Sequence, residues 1–201
     1  ALMSLGPQAT AAYNKGDLSD IVYADDTLLL GVCPHLVNEY LQAVYQAGRR
    51  YGMELHWDKF QVLPVQAEGQ ITTPDGHALP FKTEMQYLGA AVSADGSMDH
   101  ELNRRIGAAK REFTTVHKLW SHSSLTWKRK LQMFTALIES KLLYSLSGAI
   151  LTKVQLRRLD GFQNRCLRQI IGIKPSWISR VSNKVVLSRA GHIAASRLLL
   201  E

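Results

Sequence analysis

The sequence predicts an α+β amino-terminal half, antiparallel strands with a packed helix, followed by an α-helical bundle. Three observations predict it. Short β-prone runs broken by Gly, Pro and Asp fill the first hundred residues. Apolar residues then recur at alternating spacings of three and four, as one face of a helix requires. The charge divides at the same place. Residues 1–100 carry 5 Lys/Arg against 12 Asp/Glu, and residues 101–201 carry 19 against 5, within a net charge of +7. Such an asymmetry suggests two functional regions, the second facing a polyanion.

The elements follow in order. Leu18 to Tyr23 and Thr27 to Val32 flank Ala24-Asp25-Asp26, which predicts a hairpin with an acidic tip. Pro34 suits the first turn of a helix, and Val37, Tyr40, Leu41, Val44, Ala47 and Tyr51 keep its period up to Gly52. Leu55 to Val65 reads as extended, Pro74-Asp75-Gly76 as a hairpin turn, and Tyr87 to Val92 as a last strand that Asp95-Gly96 breaks. Leu102, Ile106, Ala109, Phe113, Val116 and Trp120 form a single apolar stripe. Thr126 would cap a second helix burying Leu131, Phe134, Ile138 and Leu142. Thr152 with Gln155 matches a capping box and opens a third, burying Leu159, Phe162, Cys166 and Ile170. Residues 1–97, 98–174 and 175–201 are thus the expected divisions, the last a helical extension with no assigned place.

Composition excludes several classes. Apolar residues make up 46%, well above disordered chains, and no apolar run reaches the roughly 18 residues of a membrane span. The opening Ala1-Leu2-Met3-Ser4-Leu5-Gly6-Pro7 lacks the basic segment of a signal peptide and an initiator Met, so the expectation is a non-secreted piece of a longer polypeptide. Cys33 and Cys166 read as core thiols of a reducing compartment. Cys33-Pro34-His35 is an isolated pair rather than the four-ligand spacing of zinc, and no serine or cysteine nucleophile motif is present.

Asp25 and Asp26 carry the first candidate chemistry. Carboxylates on a tight hairpin offer the hard oxygen ligands that magnesium prefers, and two ions so bridged stabilise in-line phosphoryl displacement. A solvated turn is the plain alternative, because Asp favours turns. Ile21-Val22-Tyr23-Ala24-Asp25-Asp26-Thr27-Leu28-Leu29-Leu30 resembles the metal-binding motif of reverse transcriptases. Gly52-Met53-Glu54-Leu55-His56-Trp57-Asp58-Lys59 resembles the next palm motif, and Tyr87-Leu88-Gly89 the primer-grip turn of non-LTR (LINE-type) retrotransposons. Leu102 through Gly172, including Leu142-Leu143-Tyr144 and Asn164-Arg165-Cys166-Leu167-Arg168-Gln169-Ile170-Ile171-Gly172, resembles their thumb. The resemblance spans roughly residues 18–172.

It implies a partial palm followed by a helical thumb, part of an RNA-directed DNA polymerase. Such a nucleotidyltransferase extends a DNA primer on an RNA template from deoxynucleoside triphosphates, using two Mg2+ ions. Asp25 would be the main metal ligand and Asp26 its assistant. Lys59 would lie near the incoming phosphates and protonate the pyrophosphate leaving group. Tyr87, Leu88 and Gly89 would support the primer 3′ end, with Tyr23 beneath it. It also implies an intracellular ribonucleoprotein, nuclear or cytoplasmic, with no membrane partner. Two features depart from the family. His56 and Phe60 stand where Asn and Thr or Ser are usual. Nothing before Asp25 matches the first catalytic aspartate or the glycine-rich motif. The missing upstream palm and fingers would therefore be partners from the same polyprotein, and the chain alone is expected not to polymerise. The alternative is a catalytically inactive remnant that binds nucleic acid.

The basic half supplies the second candidate surface. Arg104, Arg105, Lys110 and Arg111 fall on the first bundle helix, Lys128, Arg129 and Lys130 open the second, and Arg157, Arg158, Arg165 and Arg168 lie along the third. Arg158, Arg165 and Arg168 are expected to share a face that follows a phosphate backbone, which positions a duplex without reading its sequence. A solvated helix surface is the alternative. Trp120 and Trp127 are open to two readings, stacking on bases or core packing.

Overall fold

The computed structural model describes residues 5–121 and 124–200; residues 1–4 of the opening segment read above lie outside them. The chain forms two compact units, Ala1–Ser97 and Met98–Glu201.

In the first unit, helix α1 (Pro7–Lys15) leads into a hairpin of β1 (Leu18–Tyr23) and β2 (Asp26–Gly31), then α2 (Pro34–Arg50). Sequence patterning gave no sign of α1. Pro7 sits at its first turn, where a missing N–H costs nothing. The N–H of Gly6 donates to Glu39 Oε1 of α2 at 2.7 Å. A Cβ on Gly6 would meet the same oxygen at 2.7 Å, so a larger residue there would make the flexible Glu39 side chain shift. Leu18 is fully buried with Ala9, Ala12 and Tyr40. Tyr13 stands edge-on to Tyr40, ring centres 5.9 Å apart, and its hydroxyl donates to Asp20 Oδ1 at 2.9 Å. Burial first, and the Asp20 carboxylate second, raise the Tyr40 phenol well above its ordinary pKa.

The other face of α2 holds the next segment. Leu41 is buried with Ile71 and Leu79. Asn38 clamps the chain at two points, donating to the Gln70 carbonyl and accepting from the Thr72 N–H, both at 2.9 Å. The turn expected at Pro74-Asp75-Gly76 forms, with Thr72 bridging Ala78 antiparallel and Gly76 at φ +83°. Two expectations are corrected. Leu55 to Val65 is not a continuous extended segment, because Trp57–Lys59 winds into a 3-10 turn. The Trp57 ring, 5.7 Å from Tyr45 and 4.8 Å from Phe60, gains more from this cluster than from a strand. Tyr87 to Val92 is not one strand but the bend of a hairpin, β3 (Glu84–Tyr87) with β4 (Ala90–Ser93).

The second unit is helical. Helix α3 (Asp99–Thr115) buries Leu102, Ala109 and Phe113. The stripe predicted to run on to Trp120 breaks at Val116, and α4 (His117–Ser121) follows. Thr114 and Thr115 turn their hydroxyls back to the carbonyls of Lys110 and Arg111, which weakens a helix end. The Phe113 carbonyl accepts from the Trp120 indole N–H at 2.9 Å, and the two rings stack at 5.1 Å. Thr126 caps α5 (Trp127–Phe134), which passes through a π-helical turn at Thr135–Glu139 into α6 (Ser140–Leu143). Phe134, Ile138 and Leu142 are fully buried along this run. The Thr152–Gln155 capping box opens α7 (Lys153–Ile170), with Leu159, Phe162, Cys166 and Ile170 inward.

Residues after 174, without an assigned place in the sequence reading, form α8 (Ser176–Ser179), α9 (Asn183–Ala190) and α10 (Ala195–Leu198), the last two packed on α7. Val186, Ala190 and Ala195 join the common core. Polar groups of α7 stitch them down. Fully buried Gln163 donates to Glu139 Oε1 (2.7 Å) and the Ile193 carbonyl (2.8 Å), and accepts from the Ala195 N–H (2.9 Å). Asp160 accepts from both the N–H and the hydroxyl of Ser196. Each of these buried groups is satisfied, which makes the network a specifying feature.

Candidate functional site

The acidic hairpin is a two-residue loop. Tyr23 pairs with Asp26 and Val22 with Thr27, leaving Ala24 and Asp25 at the tip. Ala24 has φ +54°, the left-handed conformation that a two-residue hairpin demands at its first loop position. Holding a residue with a Cβ there costs about 1–2 kcal/mol. Asp25 and Asp26 are both exposed, and Tyr23 keeps 64% of its surface in solvent. Ile21 and Val22 are exposed as well, so the hairpin projects from the α1–α2 layer.

The β3–β4 hairpin also has a two-residue loop. Tyr87 pairs with Ala90 across Leu88 (φ +47°) and Gly89 (φ +74°), a primed turn with positive φ at both loop positions. Glycine suits this; leucine does not, and Leu88 stays 37% exposed. Strained residues outside glycine tend to persist at functional turns, and here both candidate turns contain one. One long contact links the second hairpin to the first: the Tyr87 hydroxyl donates to the carbonyl of Ile21, within β1, at 3.4 Å. Lys59 is exposed at the end of the 3-10 turn, which the Tyr45–Trp57–Phe60 cluster anchors to α2. It therefore sits on a turn rather than on the strand expected for it.

The metal fit is partial. Asp25 and Asp26 are hard oxygen donors, and magnesium is commonly held by one or two carboxylates with waters and substrate phosphates completing its shell. That suffices for one ion. A pair of ions needs further carboxylates, and among the described residues no group of three or more His, Cys, Asp or Glu side chains is arranged to hold a metal. Asp20, absent from the sequence reading of the site, is engaged by Tyr13 on the inner side of β1.

The basic residues separate into two kinds. Lys128, Arg129, Arg158 and Arg165 are exposed. Arg158 pairs with Asp99 at 3.3 Å and also donates to Asn103, but an exposed pair of this sort is worth little and yields readily to a phosphate. The other four expected contacts are engaged within the chain. Arg104 and Arg105 are bound to Glu101, itself 1% exposed, at 2.7 and 2.6 Å, and Arg105 also lies 4.5 Å over the Tyr144 ring. Glu101 further accepts from the Ser145 hydroxyl. A carboxylate this deep requires both guanidinium groups. Lys130 is buried and donates to the Trp120 carbonyl at 2.6 Å.

Arg168 does not share a face with Arg158 and Arg165. It turns inward, 7% exposed, and donates to the carbonyls of Lys174 (3.2 Å) and Val181 (2.7 Å) and to Asn183 Oδ1 (3.0 Å). Ten residues separate it from Arg158, a rotation of about 80° from that face. Trp120 is core, as its bond to Phe113 requires, and Trp127 is 54% exposed beside Lys128 and Arg129. Trp177 is an exposed ring that sequence reading missed, and Tyr51, expected on the apolar face of α2, is 82% exposed because it lies past the helix end at Arg50.

Among the described residues no helix is long and apolar enough to cross a membrane. Compared with protein-family models, with curated proteins and with solved structures, the chain gives no match in any of the three.

Proposed function

We propose that this chain is the later palm and the thumb of a reverse transcriptase of the non-LTR retrotransposon type. The observation that carries the reading is a contact between the two motif-bearing hairpins. Tyr23-Ala24-Asp25-Asp26 and Tyr87-Leu88-Gly89 lie 64 residues apart in sequence, yet the Tyr87 hydroxyl reaches the carbonyl of Ile21. A metal turn beside a primer-supporting turn is what nucleotidyl transfer needs, because the primer 3′-hydroxyl must be held against the metal-bound phosphate. In the intact enzyme Asp25 and Asp26 hold Mg2+, whose role is to stabilise charge on the transferring phosphate. Tyr23, Tyr87, Leu88 and Gly89 orient the primer end, and Lys59 is the candidate proton donor to pyrophosphate. The partners are an RNA template, a DNA primer and deoxynucleoside triphosphates, in an intracellular ribonucleoprotein. Exposed Ile21 and Val22 on an uncovered hairpin support docking of the upstream palm and fingers.

The two-carboxylate donor set favours a narrower statement for the chain alone. It binds a divalent ion weakly and a nucleic-acid duplex through Lys128, Arg129, Arg158 and Arg165, and it does not polymerise. Electron paramagnetic resonance of Mn2+ titrated into the protein tests the metal turn. Binding lost in Asp25→Asn/Asp26→Asn supports it, and binding unchanged by that pair overturns it. Magnesium-dependent nucleotide incorporation by the purified chain would overturn the narrower statement.

A further inference from the structure

Among the described residues, Trp177 makes no ring contact, hydrogen bond or ion pair that explains its position. It is 79% exposed on the single turn of α8, with Ile178 beside it at 47%. A large ring held in water is costly unless something covers it. The loop that carries it is fixed. The Arg168 guanidinium donates to the carbonyl at one end, Lys174, and at the other, Val181, and it reaches Asn183 as well. One buried side chain on α7 thus clasps both ends of the loop. Pro175 opens the turn, and Arg180 closes it in the left-handed conformation at φ +54°.

The stretch of sequence that carries the ring has one sign of charge. From Gly161 to Leu200 the sequence holds seven Lys/Arg and no Asp or Glu. Lys174 and Arg180, both exposed, flank the ring at either end of the loop, and exposed Lys184 follows. Asp160, the acid just outside this stretch, is taken by Ser196.

We propose that Trp177 is a stacking platform for an unpaired base of single-stranded nucleic acid, with Lys174 and Arg180 holding the phosphates on either side. An exposed aromatic ring within a cationic stretch is how proteins grip single strands without reading sequence. A duplex would not serve, since its bases are stacked on each other. An anionic membrane is the lesser fit. A helix lying in a bilayer surface buries a long apolar face, and α8 is one turn with two apolar residues. The proposal rests on the reading of the carboxy-terminal half as a nucleic-acid binder and adds to it a single-strand site that the duplex contacts do not include.

The test uses the whole chain and a single-stranded oligothymidylate, followed by fluorescence anisotropy and by quenching of tryptophan emission. Trp177→Ala is expected to lose roughly 5- to 150-fold in affinity, the value of one base stack. Trp177→Phe, which keeps a ring, is expected to stay within a few-fold of wild type. Lys174→Ala with Arg180→Ala should flatten the dependence of log K on log salt by about 1.4, two contacts on a single strand. Because the ring is exposed, Trp177→Ala should unfold at the wild-type temperature, which separates lost stacking from lost folding. Unchanged oligothymidylate binding by Trp177→Ala overturns the proposal. So does a loss of binding confined to vesicles containing phosphatidylserine. If that variant binds single strands normally while wild type grips an RNA–DNA duplex, only this proposal falls. If wild type binds neither at low salt, the nucleic-acid reading falls with it.

Discussion

Replacing Arg168 by alanine separates two roles that the sequence alone cannot tell apart. The guanidinium is 7% exposed and makes three hydrogen bonds, to the Lys174 and Val181 carbonyls and to Asn183. A bond to a charged donor contributes about 1.5–3 kcal/mol in isolation, but three bonds from one group do not add fully. The two carbonyls also recover some hydration once the loop loosens. A loss of about 3 kcal/mol is the resulting expectation. For a cooperative unit of about 100 residues this lowers Tm by roughly 12–15 °C. Arg168→Lys should recover little, since an ammonium cannot span the two carbonyls as the planar fork does. Circular dichroism of the helical signal against temperature reads the effect. The reasoning is refuted if Arg168→Ala melts within about 1 °C of wild type while the salt slope of duplex binding falls by about 1, one lost phosphate contact.

Four further outcomes follow. Ala24→Gly relieves the left-handed strain at the acidic turn, offset by the entropy of an added glycine, and should raise the urea midpoint of the first unit by an amount equal to roughly 0.5–1 kcal/mol. Gln163→Leu leaves Glu139, the Ile193 carbonyl and the Ala195 N–H without their shared partner, and should cost about 3 kcal/mol or more in urea unfolding of the second unit. Burial pushes the Cys166 thiol from its ordinary 9.0 up to about 12. The folded state therefore keeps that proton longer than the unfolded one. Its contribution is intact below about pH 9 and is lost as pH rises towards 12, so stability should fall across that window and the decline should shrink in Cys166→Ala. At pH 8 a thiol reagent should label half-exposed Cys33 in the native protein and leave Cys166 unmodified until it unfolds.

Local signals were legible where one element settles its own form. The hairpin around Ala24-Asp25, the helix from Pro34 and the Thr152–Gln155 cap all depend on neighbours in sequence, and each forms as the residues dictate. Misreadings came where distant groups decide. Trp57 joins Tyr45 and Phe60 in a cluster, so a 3-10 turn replaces the extended run. The Trp120 indole takes a carbonyl of α3, so the predicted stripe breaks. Residues 175–200 are fixed by Asp160, Gln163 and Arg168 as well as by Val186, Ala190 and Ala195, and so short an apolar pattern did not reveal where they pack. The same holds for the site. Asp25, Tyr87 and Leu88 could be named from their motifs, whereas the hydroxyl that joins their turns could not. Counting cations along a helix overlooked how many were already paired: Glu101 engages two and backbone carbonyls engage Lys130 and Arg168.

Binding of the purified chain to an RNA–DNA primer–template duplex, measured across a salt series, tests the central claim most directly. The four exposed cations Lys128, Arg129, Arg158 and Arg165 predict a log–log slope of roughly −3 to −4. Replacing them together by alanine should remove most of that slope and leave the helical signal intact. Failure to bind the duplex at low salt, or binding whose salt dependence survives the fourfold replacement, would contradict the account.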